Sequence, residues 1–134
     1  MRSASEDLTR LRAALSDGRL EALCRRRGVS LCVLHGSAVD AEDPGDVDLA
    51  IGWINRGGND LVALVGDLID VVGDSVDVMD LDRAGPVAAQ RALTRGEVLV
   101  ELIPGTFANR QMRAVREFMD TDWLRRLDLE ALAR

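Results

Sequence analysis

An α/β or α+β fold, with helices packed on a small β-sheet, follows from three features of the sequence. Apolar residues recur at helical spacing in residues 5–27, 59–72 and 106–119, and short aliphatic runs bounded by glycine lie between them. The two kinds of segment alternate along the chain, the pattern of helices covering a sheet. With 134 residues, 47% of them hydrophobic, the chain suffices for one compact domain. We expect a single domain over residues 1–134, with a core at about 29–103, N-terminal helices in 5–27 and C-terminal helices at about 106–133.

In the first helical segment Leu8, Leu11 and Leu15, then Leu20 and Leu23, form the apolar stripe. Ser3 or Ser5 is available as a cap, Asp17-Gly18 breaks the segment into two helices, and Gly28 ends it. Residues 29–34 read as a buried strand, closed by Gly36-Ser37, and Asp43-Pro44-Gly45 marks a turn. Residues 46–51 alternate, placing Asp46 and Asp48 on one face and Val47, Leu49 and Ile51 on the other. A loop is expected at 53–58, then a helix capped by Asn59 and carrying Leu61, Leu64, Val65, Leu68 and Val72. A strand follows at 76–81, a helix opened by Pro86 runs to about Arg95, and another strand covers 97–103. Two helices complete the chain, the second capped by Asp120 to Asp122 and carrying Trp123, Leu124 and Leu127.

Composition removes several classes of function. All 17 basic residues are arginine, which excludes a Walker-type lysine, a Schiff-base lysine and a lysine general base. The net charge of −6 argues against general binding to nucleic-acid backbone, so no nucleic-acid partner is expected. No apolar run approaches the ~18 residues of a membrane span, and the start of the chain lacks the apolar core of a signal peptide. Cys24, Cys32 and the lone His35 cannot supply a disulfide framework or a four-ligand zinc site. These features predict a reduced, cytoplasmic protein with no membrane contact.

Between Asp40 and Asp82 the acids crowd together against a single base, Arg56. Three elements from this region could converge: the turn Gly36-Ser37, the pair Asp46 and Asp48, and Asp77 or Asp80. Glycine admits a phosphate close to the backbone, serine offers a hydroxyl, and a helix starting there would aim free N–H groups at an anion. Two carboxylates at i and i+2 of a strand point the same way and suit a hard divalent cation that also keeps substrate phosphate oxygens. A third carboxylate from a neighbouring strand completes a two-metal site for phosphoryl or nucleotidyl transfer.

The ordered set Leu34-His35-Gly36-Ser37, then Asp46-Val47-Asp48-Leu49-Ala50-Ile51, then Val76-Asp77-Val78-Met79-Asp80-Leu81 resembles the minimal nucleotidyltransferases of the DNA polymerase beta-like superfamily. The resemblance covers about residues 29–103 and implies a small mixed sheet flanked by helices. It also implies Gly36 and Ser37 on a nucleoside triphosphate, Asp46 and Asp48 on magnesium, with manganese as the alternative, and Asp77 as third metal ligand and helper in deprotonating the acceptor hydroxyl. Asp80 is the second choice for that third role. Three departures stand out. Only eight residues, Ala38 to Gly45, separate Ser37 from Asp46, fewer than is usual. No arginine lies among them, and His35 stands where an aromatic residue is common.

The implied activity is magnesium-dependent transfer of AMP, or another nucleoside monophosphate, from ATP or a related triphosphate to a hydroxyl acceptor. Stand-alone minimal members resemble antitoxins that pair with a helical HEPN-type toxin and silence it by adenylylation, so the implied acceptor lies on such a partner. The alternative is a catalytically degenerate fold acting as a contact antitoxin or a nucleotide-binding module; self-association stays open.

Each candidate also has a plain structural reading. Asp46 and Asp48 suit a solvated strand face, Asp77 an edge strand, and Gly36-Ser37 a simple turn. His35 reads as a general base or as a packed, nucleotide-adjacent side chain. The Arg25-Arg26-Arg27 run suits a helix C-terminus as well as an anionic partner, and Cys24 and Cys32 suit apolar filling. Trp53 and Trp123 suit an exposed interface or the edge of the core.

Overall fold

The computed structural model describes residues 3–40 and 44–133. The chain runs α1 (Ala4–Ser16), α2 (Arg19–Arg27), β1 (Val29–His35), α3 (Ser37–Asp40), β2 (Val47–Trp53), α4 (Leu61–Val71), β3 (Val76–Asp80), α5 (Pro86–Arg95), β4 (Glu97–Glu101) and α6 (Thr106–Ala133). The four strands form one mixed sheet in the order β3-β2-β1-β4, with β2 and β3 parallel and the other neighbours antiparallel.

Alternation along the central strands divides the core into two layers. On one face Cys32, Leu34, Leu49 and Ile51 pack against Leu11 of α1, Leu20 and Leu23 of α2, and Leu64 and Leu68 of α4. On the other, Leu31, Val33 and Ala50 meet Ala89, Ala92 and Leu93 of α5 and Ala114 of α6. Small residues on the second face let α5 approach closely. Because β1 and β2 are covered on both sides, they read as nearly continuous aliphatic runs rather than as polar–apolar alternation.

Local signals fix most boundaries. Ser3 caps α1 by accepting from the Glu6 amide at 3.2 Å, and Pro86 opens α5. Asp60, rather than Asn59, caps α4, accepting from the Ala63 amide at 3.0 Å, while the Asn59 amide group donates to the Asn55 carbonyl. Trp53 is the last residue of β2 rather than the start of a loop, and it is buried, its indole N–H donating to Asp80. The largest difference lies at the C-terminus, where α6 is one uninterrupted helix instead of two. No glycine or proline lies at Asp120–Asp122, the Thr121 hydroxyl bonds back to the Glu117 carbonyl, and Asp122 pairs with Arg125 and Arg126 one turn on. Local acids there support the helix from within. The distal turns of α6 leave Met119, Trp123, Leu127 and Leu132 exposed.

Arg26 and Arg27 both pair with Asp67 of α4, and Arg25 with Glu21, so the arginine run ties α2 to the fold. Cys24 and Cys32 are buried and free, and the hydrogen bond between them, with burial, pushes the Cys32 thiol well above its ordinary pKa. Among the described residues no helix is long and apolar enough to cross a membrane.

Candidate functional site

The site lies at one end of the sheet, where β1 finishes and β2 and β3 begin. His35 is the last residue of β1 and pairs with Asp48 on β2, and Asp48 in turn pairs with Asp77 on β3. The three positions therefore sit side by side across three adjacent strands. By strand alternation they share the sheet face of Val33, Ala50 and Met79, which α5 and α6 cover further along. Asp46, two residues before Asp48, is exposed at the mouth of β2.

Gly36 links β1 to the short α3. Its φ of +71° is in the left-handed region, and its Cα lies so close to Asp48 that a Cβ would collide with the carboxylate. Both constraints require glycine. The same closeness places the Gly36-Ser37 backbone directly against the acidic strand pair. Ser37 is exposed, while Ala38 is buried and anchors the turn. Residues 41–43, which include Asp43 of the expected turn, lie outside the described residues.

Electrostatics record the crowding. Burial pushes the Asp48 carboxyl above its usual range, and the neighbouring charges of Asp77 and Asp46 push the same way, with His35 opposing them. Burial lowers the His35 imidazole, against the pull of Asp48 and Asp77, and its Nε2 is buried without a hydrogen-bond partner. His35 is thus a half-buried ring beside the acids. Sharing of a divalent cation suits this donor set, since three carboxylates gain from a counter-charge. Among the described residues, however, no three His, Cys, Asp or Glu side chains are grouped so as to hold a metal ion by themselves. Magnesium does not need such a cage, because it binds through one or two carboxylates together with water and substrate phosphates.

Asp80 is placed differently from Asp77. It is three residues further along β3, accepts from the Trp53 indole at 3.1 Å and from the Asp82 amide at 3.0 Å, and stands opposite Ile51 rather than Asp48. Its carboxylate serves the far end of β2.

Two groups escaped the reading of the sequence. Arg110 of α6 lies over Gly52, where a Cβ would strike its guanidinium, and it holds Asp82 at 2.9 Å and the Trp53 carbonyl at 3.3 Å. This contact locks α6 to the sheet, and no spacing rule announces it. Beside Gly36, a cavity of about 400 Å³ opens between the end of β1 and α5, with Arg91 and Arg95 on its wall. Two arginines four apart on a helix were the available signal.

With this geometry in place, comparison with known proteins decides the family. Residues 19–102, more than half of the chain, match the family described as "Polymerase beta, Nucleotidyltransferase". The chain belongs to that family. No curated relative matches it by sequence. Among solved structures, it is similar to a toxin-antitoxin with AMP-PNP at a TM-score of 0.73 and 18% identity, covering 88% of this chain and 98% of that one. It is also similar to the complex of tri-AMPylated Shewanella oneidensis HEPN toxin with MNT antitoxin, at a TM-score of 0.69 and 20% identity over 90% of this chain and 98% of that one. A third, the toxin-antitoxin MntA-HepT, gives a TM-score of 0.69 at 19% identity over the same shares. The fold of this nucleotidyltransferase family member is therefore one also seen in toxin–antitoxin complexes, one described with a HEPN toxin and another with AMP-PNP.

Proposed function

We propose that this nucleotidyltransferase family member transfers AMP from ATP to a hydroxyl group on a HEPN-type partner protein. The observation that carries the reading is the alignment of Asp48 with Asp77 on adjacent parallel strands, with Gly36 closed against Asp48. Fold likeness to the MNT antitoxin bound to an AMPylated HEPN toxin supports the choice of acceptor.

In this reading Gly36 and Ser37 hold the triphosphate, Gly36 by letting phosphate oxygens approach the backbone and Ser37 by donating its hydroxyl. Asp46, Asp48 and Asp77 would hold magnesium, or manganese in its place, together with phosphate oxygens. Such an ion neutralises charge that develops on the transferring phosphoryl group. Asp77, exposed like Asp46, meets the incoming acceptor and takes part in removing its proton. The acceptor oxygen bonds to the α-phosphorus as the bond from that phosphorus to the β-phosphate bridging oxygen breaks, and pyrophosphate leaves. His35 stands beside Asp48 across the β1–β2 pairing. Asp80 takes no part.

The test is a thermal-shift titration of the chain with ATP and magnesium or manganese, comparing wild type with the double substitution Asp46→Asn/Asp48→Asn. Stabilisation by nucleotide that needs the metal and vanishes in the variant is expected. Equal shifts in both proteins, or none in either, would show that these carboxylates do not serve a triphosphate and would favour action on the partner by contact alone.

A further inference from the structure

The proposed reaction brings a polyanion to an acidic site. A triphosphate must settle beside Asp46, Asp48 and Asp77, and the whole stretch from Asp40 to Asp82 contains one base, Arg56. The segment Ala38 to Gly45, between Ser37 and the first of those acids, has none. Cationic groups for the phosphates must come from elsewhere in the chain.

The cavity beside Gly36 supplies them. It measures about 400 Å³, and His35, Gly36, Asp40, Met79, Arg91 and Arg95 are among its lining residues. Arg91 and Arg95 are exposed and one helical turn apart on α5, so both guanidinium groups are free to reach a common anion at the cavity mouth. Among the described residues neither forms an ion pair or side-chain hydrogen bond, whereas Arg12, Arg27 and Arg110 each hold a carboxylate. Arg56, Arg113 and Arg116 are likewise unengaged among the described residues, but of these five only Arg91 and Arg95 line the cavity beside Gly36. The helix dipole favours Arg95 in the last turn, but like charges at this spacing work against a helix, and nothing in the fold uses Arg91. Guanidinium forks suit phosphate oxygens.

The geometry points to Arg91 and Arg95 as a clamp for the β- and γ-phosphates of the nucleotide, and so for the departing pyrophosphate. This inference rests on the proposed nucleotidyl transfer and adds positioning residues from α5 to it. Both arginines come from α5, which covers the sheet face that carries Asp48 and Asp77, and Gly36 lines the same cavity.

Thermal-shift titrations of the full chain with magnesium plus ATP, AMP or inorganic tripolyphosphate test it. The double substitution Arg91→Ala/Arg95→Ala should weaken ATP and tripolyphosphate by about tenfold or more, as loss of charge-assisted hydrogen bonds would. AMP should bind as before, and the salt dependence of ATP binding should become shallower. Arg91→Lys/Arg95→Lys should recover part of the loss. Equal weakening of ATP and AMP would place the arginines away from the β- and γ-phosphates and overturn the clamp. Unchanged ATP binding in the alanine variant, while Asp48→Asn abolishes it, would also overturn the clamp and leave nucleotidyl transfer standing. No binding of ATP to the wild type would overturn both.

Discussion

Asp48 and Asp77 occupy directly paired positions on the parallel strands β2 and β3, one half-buried and the other exposed. Like charges set side by side on one sheet face destabilise it, and burial raises the cost for Asp48. The fold bears this strain at the end of the sheet where Gly36 closes against Asp48. Asp48→Asn should therefore raise the melting temperature of the metal-free protein, by a few degrees if the relief is worth about 1 kcal/mol. The same substitution should abolish stabilisation by magnesium and ATP. Opposite effects on metal-free and loaded protein, read in one thermal-shift experiment, separate a functional carboxylate from an ordinary surface acid.

Gly36 makes a sharper demand on its side chain. Gly36→Ala places a Cβ against the Asp48 carboxylate and forces an L-residue into the left-handed region. The left-handed conformation alone costs about 1–2 kcal/mol. Chemical denaturation should record at least that loss, together with loss of nucleotide binding. Ser37→Ala, at an exposed position with no such constraint, should leave stability within about 0.5 kcal/mol and weaken only ATP binding.

Asp80 and Asp77 should separate cleanly. Asp80→Ala removes the acceptor of the buried Trp53 indole N–H, and an unsatisfied buried donor costs about 1–3 kcal/mol. It should lower the melting temperature while metal-dependent ATP binding persists below the transition. Asp77→Ala should do the reverse, sparing the fold and removing transfer. The opposite pattern would give the third carboxylate role to Asp80.

Acid sensitivity has an identifiable contributor away from the site. Arg12 donates two hydrogen bonds to Glu97, at 2.5 and 2.8 Å, joining α1 to the start of β4 and lowering the Glu97 carboxyl below its ordinary pKa. A depressed folded-state pKa stabilises above the unfolded value, near 4.3, and that stability is lost as pH falls through the lower folded value. Both side chains are well exposed, so solvent screening keeps the contribution below about 1 kcal/mol. Glu97→Gln should lower stability at pH 7 by that modest amount and flatten the decline below about pH 4, as followed by denaturation at a series of pH values.

The sequence disclosed the parts of this molecule that depend on local chemistry. The break at Asp17-Gly18 and the opening of α5 by Pro86 follow from short-range rules, and the elements appear accordingly, whereas β2 begins at Val47, one residue after the Asp46 at which the alternation was expected to start. What remained hidden depends on which of two competing local tendencies prevails, or on contacts distant in sequence. The continuity of α6 rests on ion pairs between Asp122 and Arg125 and Arg126, which outweigh the capping tendency of the acids. The end of β2 extends to Trp53 because Asp80, 27 residues away, receives its indole N–H. Within the site, spacing alone left Asp77 and Asp80 equivalent; only the register of β2 against β3 aligns Asp77 with Asp48. Arg91 and Arg95 came into view only when α5 was folded over the end of β1.

Transfer is read at its source by following the α-phosphate. The chain is incubated with a HEPN-type toxin, magnesium and ATP labelled at the α-phosphate, and the toxin is then analysed by intact mass and label counting. Covalent label on the toxin, a mass increase matching AMP and release of pyrophosphate are expected, with loss of all three in Asp46→Asn/Asp48→Asn. Neutralisation of the toxin with no added mass, undiminished in that variant, would contradict transfer and make this nucleotidyltransferase fold a contact antitoxin.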